Sequence, residues 1–203
     1  MRKILSVLFI AALLVSCAKK IPPAEPFDAE KSFKLANELL KKKKYEEARR
    51  ELYDIKRREA ELKYAPLAQL RLADSYIDEE EPELAIKEYE GFLDDYPGHS
   101  YAPYALYQIA MVYYEQIKDA SRSYGAASRA LEEFRKLNDI YPRNPYREDI
   151  GPKIEKCVEM VSEHEYLVGE FYFKREAWQG AIDRLTRLLD RFPDSKREAD
   201  ALH

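Results

Sequence analysis

The sequence predicts an all-α protein built from stacked helix–turn–helix repeats, and three observations carry that prediction. Small and large residues recur at the same offsets from one helix pair to another. No stretch alternates polar and apolar residues with the two-residue period of a half-exposed strand. The 203-residue chain has only six glycines, and its charges are spread through the helical stretches. Two matched quartets are Ala73, Tyr76, Ala85 and Pro97, and Gly169, Tyr172, Ala181 and Pro193.

This pattern is that of the tetratricopeptide repeat (TPR), a helix pair of about 34 residues. Four copies are predicted, at about 29–63, 65–99, 103–145 and 152–195, with an enlarged turn at 118–124 in the third. A single pair cannot bury its apolar face, so the copies must stack into an α–α superhelix. Helices are expected near 29–42, 45–60, 65–79, 82–95, 103–117, 125–140 and 152–174, and a last one ended by Phe192 and Pro193. A turn or a kinked extension is expected before the long helix at 152–174.

Three further expectations follow from the repeat pattern. Gly169 and Ala181 are expected to face each other, because small residues let two helix backbones approach closely. Cys157 lies at helical spacing from apolar neighbours and is expected to be a buried small hydrophobe. A fifth repeat starts near residue 196 and is cut short at 203, so a chain truncated at its C-terminus is also expected.

The N-terminus predicts a lipoprotein signal. Arg2 and Lys3 precede an apolar run at 4–15, which is too short to span a bilayer as a helix. The run ends in Leu-Val-Ser-Cys, so residues 1–16 are interpreted as the signal peptide and Cys17 as the lipidated residue. Residues 17–27, rich in proline, form the predicted tether, and the TPR domain fills 28–203. Ala18, where an Asp is the usual inner-membrane retention signal, favours the outer membrane.

No pattern in the sequence indicates catalysis, a metal or a cofactor. The three histidines are far apart, and neither a Gly-rich phosphate loop nor a Gly-x-Ser-x-Gly elbow is present. The formal net charge is −4, or −6 without Arg2 and Lys3, which argues against nucleic acid as a partner. The basic run Lys41–Lys44 is interpreted as a solvated helix end. The chain is therefore predicted to be a binding protein and not an enzyme.

The concave face of the superhelix is the candidate peptide-binding surface. In stacked repeats the first helix of each pair lines this face, and the residues at those positions here are mostly apolar or aromatic. Repeat-to-repeat stacking also needs apolar residues, so for any one position a packing role is an equal alternative. The candidates are Phe33, Leu40, Leu70, Ile77, Tyr104, Tyr107, Met111, Tyr114, Tyr166 and Phe173.

Together, the signal, the Cys17 motif, the proline tether and the repeats resemble the BamD (YfiO) family. The most specific stretch reads HEYLVGEFYFKREAWQGAIDRL and is followed by FPDS. The resemblance implies a non-enzymatic lipoprotein of the outer-membrane β-barrel assembly (BAM) complex, anchored at the periplasmic face of the outer membrane. It further implies binding to unfolded outer-membrane proteins, to a BamA-type β-barrel subunit and to other accessory lipoproteins.

The sequence departs from the family pattern at two places. The family commonly has an acidic stretch in the third-repeat turn, where this chain reads Ser121-Arg122-Ser123. The family also has five repeats and places its BamA contact in the C-terminal ones. Two alternatives remain: a pilotin-like TPR lipoprotein that escorts secretin subunits, and an adaptor that recruits a cell-wall enzyme. The long helix leading into the fourth repeat favours the assembly role over both.

Overall fold

Eight helices of 13 residues or more form four antiparallel pairs in the computed structural model, which describes residues 26–58, 63–117 and 123–202. They are α1 (Ala29–Lys41), α2 (Tyr45–Arg58), α3 (Ala65–Asp78), α4 (Pro82–Asp95), α5 (Ala102–Glu115), α6 (Tyr124–Ile140), α7 (Arg147–Phe173) and α8 (Trp178–Arg191). A four-residue helix, α9 (Glu198–Ala201), follows. Each helix packs on the next along the chain, as the predicted superhelix requires, and the described ranges contain no strand.

The helix ends follow local chemistry. The side chain of Asp28 caps α1 by accepting a hydrogen bond from the backbone N–H of Lys31 at 3.0 Å. The turns inside the first, second and fourth repeats each place one residue in the left-handed region: Lys43 (φ 57°), Glu80 (φ 62°) and Glu176 (φ 59°). Each turn also closes with a backbone bond from the following residue to a carbonyl five residues back, as in a Schellman motif.

Helix α7 begins five residues earlier than predicted, at Arg147 and not at 152. Pro152 stands inside the helix, where it lacks the N–H that would bond to the carbonyl of Glu148 and its ring crowds that carbonyl. Acidic residues Glu148 and Asp149 in the first turn suit the positive end of the helix dipole. Ile150 is fully buried in the core of the third repeat, so packing stabilises the extra turn.

Within the described ranges, three apolar clusters form the core, each built between neighbouring helix pairs. The first contains Leu52, Ile55 and Leu72, the second contains Tyr89 and Phe92, and the third contains Phe134, Leu137, Ile150 and Phe192. Cys157 is fully buried in the third cluster, which confirms its interpretation as a small hydrophobe. Burial raises the pKa of its thiol to about 11.

The close approach of α7 and α8 is real, but its partners differ from those expected. A Cβ on Gly169 would lie 2.7 Å from Cδ2 of Leu185, and the nearest atoms belong to Leu185 and Arg184, not to Ala181. The second contact of this kind is between Gly180 and the Tyr172 ring, 3.2 Å from a Cβ built there. Each glycine therefore makes room for one large side chain of the facing helix.

Candidate peptide-binding groove

A groove of about 340 Å³ runs across the first helices of the first three repeats. Three of the ten predicted face residues line it together: Phe33 from α1, Leu70 from α3 and Tyr104 from α5. They bring aromatic and aliphatic side chains into one surface, as the sequence predicted. The remaining lining residues are Leu67, Arg71, Asp74, Tyr101 and Tyr146.

The carboxylate of Asp74, a lining residue of the groove, accepts hydrogen bonds from three neighbouring side chains. The hydroxyls of Tyr89 and Tyr104 both donate to Oδ1 of Asp74 at 2.8 Å, and Arg71 donates to Oδ2 at 3.2 Å. Burial and the neighbouring Asp74 raise the pKa of Tyr104 to about 12, and that of Tyr89 rises for the same two reasons. Two aromatic rings and one guanidinium are therefore held in place before any ligand arrives.

Tyr107 forms the edge of the groove and is not an open contact. Its ring stacks on Tyr146 with centroids 4.1 Å apart and an interplanar angle of 14°. Its hydroxyl donates to Asp149 at 2.9 Å, and burial followed by this bond raises its pKa to about 12. Lys153, and then Tyr107, lower the pKa of Asp149 by donating to its carboxylate. Tyr107 thus joins α5 to the first turns of α7.

Met111 and Tyr114 pack against the third core cluster. The Tyr114 ring meets Phe134 edge-on at 6.0 Å, and the ammonium groups of Lys153 and Lys156 lie over it at 5.9 and 5.2 Å. Both lysines follow Pro152, so this part of α7 was already in the predicted helix and partly covers the face of α5. The side chains of Met111 and Tyr114 are half-buried, so packing accounts for part of their surface and their role in peptide binding stays a prediction.

The last two face residues belong to a different surface. Tyr166 and Phe173 line a pocket of about 560 Å³ at the end of the array, together with Trp178 and Leu202. Arg197 lies 4.6 Å above the Tyr166 ring, so the chain after α8 already covers part of this pocket. Of the other candidates, Leu40 and Ile77 line neither pocket. Five of the ten candidates therefore lie at one of these two surfaces, and the role of the whole set in peptide binding stays a prediction.

Sequence reasoning missed the tyrosines Tyr101 and Tyr146, which directly precede α5 and α7. A signal was present, because Tyr64 stands at the same place before α3 and the stretches YAPLA and YAPYA repeat each other. The Tyr64 ring lies 5.6 Å from that of Phe33. The tyrosines directly before α3, α5 and α7 therefore line the groove or contact one of its lining residues.

Other predicted features fall outside the described ranges. These are Cys17, the signal peptide at 1–16 and most of the tether and of the enlarged turn. Among the residues that the structure does describe, no group of three or more His, Cys, Asp or Glu could hold a metal ion. Within the same ranges, no helix combines the length and apolar character needed to cross a membrane.

The chain resembles known proteins along most of its length. Residues 27–203 match the model of the YfiO family, described as outer membrane lipoprotein. A protein from Haemophilus influenzae named outer membrane protein assembly factor BamD is 24% identical over 214 residues, covering 100% of this chain and 82% of its own length. The factor of the same name from Rickettsia prowazekii is 26% identical, covering 99% and 81%.

Two further similarities are partial. The BamD factor from Caulobacter vibrioides is 31% identical over 118 residues, which cover 58% of this chain but only 39% of that protein. The crystal structure of a thermophilic TPR protein from Thermus thermophilus superposes with a TM-score of 0.44 and 17% identity, covering 86% of this chain and 99% of the other.

Proposed function

Because the chain belongs to the YfiO family of outer membrane lipoproteins, we propose that it is a non-enzymatic subunit of the machinery that assembles β-barrel proteins in the outer membrane. Full-length alignment to proteins named BamD assembly factors supports this role. Cys17 carries the lipid anchor, the tether follows it, and the repeats lie at the periplasmic face. The partners are a BamA-type β-barrel subunit and other accessory lipoproteins.

The groove captures segments of unfolded outer-membrane proteins. Strands of such barrels alternate polar and apolar residues, so an extended segment offers apolar side chains at every second position. The observation that supports this step is the pre-ordered aromatic surface of Phe33, Leu70, Tyr101 and Tyr104. Tyrosine suits the task because its ring is apolar and its hydroxyl tolerates water.

The expected affinity is low, which suits transfer of a segment to another subunit. Burial of one aromatic side chain contributes on the order of 2 kcal/mol, and ordering an extended peptide offsets part of that. Two or three such contacts therefore give reversible capture. The groove holds one cation and one carboxylate, Arg71 and Asp74, which already pair with each other. Recognition consequently depends on apolar spacing and not on one charged sequence.

A matched pair of tyrosine variants tests the groove. Tyr101 is 49% exposed and lines the groove, whereas Tyr53 is 42% exposed and is not among its lining residues. Tyr101→Ala should weaken binding of a fluorescent peptide from the last strand of an outer-membrane protein by roughly fivefold to thirtyfold, the loss of about 1–2 kcal/mol. Tyr53→Ala should leave it unchanged. Equal affinity of both folded variants would move the substrate site away from this groove.

The identity of the assembly is tested separately, by purifying the lipidated protein from its native membrane. A large β-barrel protein with periplasmic domains as the main partner supports the assembly role. A secretin or a cell-wall enzyme as the main partner would replace it with one of the two alternatives.

A further inference from the structure

A second open surface lies on the other helix layer of the superhelix. The groove is built from first helices of the repeats, whereas this cleft of about 630 Å³ lies between the second helices α6 and α8. The two surfaces share no lining residue. The cleft is lined by Ser128, Leu131, Glu132, Arg135, Lys136, Asp139, Ile140 and Arg191.

Two arginines converge on one buried ring at this cleft. The guanidinium carbon of Arg135 lies 5.7 Å from the ring centre of Phe192, and that of Arg191 lies 5.4 Å from the same centre. Phe192 is part of the third core cluster, so its ring is held in place by packing and both cations lie against an immobile surface. Since both guanidinium groups lie over the same ring, the distance between them is not much more than one Debye length, which is ~10 Å at 0.1 M salt. Salt therefore does not fully screen the two positive charges, and they repel each other.

Neither guanidinium has a carboxylate within ion-pair distance in the part of the chain that the structure describes. By contrast, Arg49, Arg184 and Arg197 each pair with at least one glutamate. The acidic lining residues Glu132 and Asp139 do not pair with the two arginines, although they stand three to four residues away from Arg135 on the same helix. The planar guanidinium fork matches the geometry of carboxylate and phosphate groups, to which it can donate two parallel hydrogen bonds.

We propose that this cleft is a docking site for a short acidic segment of a partner protein. Carboxylates of the segment bind Arg135 and Arg191, and an apolar side chain beside them covers Ile140, which is 54% exposed. The anion also relieves the repulsion between the two cations.

The lining favours a peptide over a lipid surface. Glu132 and Asp139 also line the cleft. The phosphates of a uniformly anionic membrane would therefore be repelled by two carboxylates beside the arginines. A segment of defined sequence can place its carboxylates on the cations and neutral residues elsewhere. Since cleft and groove lie on different layers, a partner held here leaves the groove open. This inference is independent of the groove's proposed role.

The test uses the purified full chain and an end-blocked peptide in which glutamate and leucine alternate. NMR signals of the Nε–H groups of Arg135 and Arg191 should shift on titration, and a glutamine–leucine peptide should leave them in place. Arg135→Gln with Arg191→Gln should weaken binding by roughly threefold to thirtyfold, the range that two exposed ion pairs supply. Arg135→Lys with Arg191→Lys keeps both positive charges but loses the planar guanidinium groups. This variant should retain only part of the affinity for the acidic peptide.

The matched control removes two positive charges elsewhere on second helices. Arg50→Gln with Lys87→Gln changes two exposed residues of α2 and α4 and should bind the acidic peptide as the original chain does. Equal weakening in both double variants would show that only net charge matters and would overturn the site. Binding of phosphatidylglycerol vesicles that depends on Arg135 and Arg191, without peptide binding, would assign the cleft to a lipid surface and overturn the proposal as stated.

Discussion

Gly169→Ala is expected to destabilise the fourth repeat even though alanine is the better helix former. The added Cβ would lie 2.7 Å from Cδ2 and 2.9 Å from Cγ of Leu185, closer than real Cβ contacts allow. Alanine gains about 1 kcal/mol of helix propensity, whereas overpacking costs about 1–3 kcal/mol. We therefore expect a net loss of about 0–2 kcal/mol in the free energy of unfolding.

The assay can report the fourth repeat directly, because the single tryptophan of the chain, Trp178, begins α8. Urea unfolding followed by its fluorescence detects separation of α7 from α8, including unfolding of the array end alone. Gly125→Ala is the control, since a Cβ there would meet no atom within 4 Å. It should be neutral or stabilising by up to about 1 kcal/mol.

A double-mutant cycle with Leu185→Ala isolates the contact. Truncating Leu185 removes the two atoms that the new Cβ would meet, so Gly169→Ala should become neutral or stabilising in that background. The coupling between the two changes should be about 0.5–3 kcal/mol. If Gly169→Ala stabilises the original chain as much as Gly125→Ala does, the close approach of α7 and α8 is wrong.

Four other outcomes are expected. Ala181→Leu should cost about 1–3 kcal/mol of unfolding free energy, since Ala181 is buried in α8. Cys17→Ser should leave an unprocessed or soluble protein, and normal outer-membrane levels of it would refute the anchor. Asp74→Asn should lower the pKa of Tyr104, measured by NMR, from about 12 towards its ordinary value. In the original chain, the contribution of the Tyr104 phenol to the free energy of unfolding is complete below pH 10 and is lost as the pH rises through 12. A thiol reagent at pH 8 should modify Cys157 only after unfolding, because its raised pKa and burial suppress the thiolate.

The sequence by itself determined the repeats, because their signals are local. Small residues such as Ala73 and Ala85, large ones such as Phe134, and the prolines after the helices act within one helix pair. Six of the eight long helices therefore lie within about two residues of both predicted ends, and the last one ends where Phe192 and Pro193 predicted. The burial of Cys157 followed from the same periodicity. Three groove residues, Phe33, Leu70 and Tyr104, were also found this way.

Only the tertiary structure decided how the concave face is divided. Ile150 and Tyr146 pack against the third repeat, and this packing stabilises a helix that starts before Pro152. The periodicity of the sequence does not predict this contact between repeats. The early start places Asp149 against Tyr107, and lysines after Pro152 lie over Tyr114, so both tyrosines are half-buried. Contacts of this kind join residues that are distant in the sequence: Tyr107 and Asp149 are 42 positions apart, and Arg135 and Phe192 are farther apart still. Such distances depend on how each helix pair is rotated on the next, and that rotation is set by the sum of many side-chain contacts.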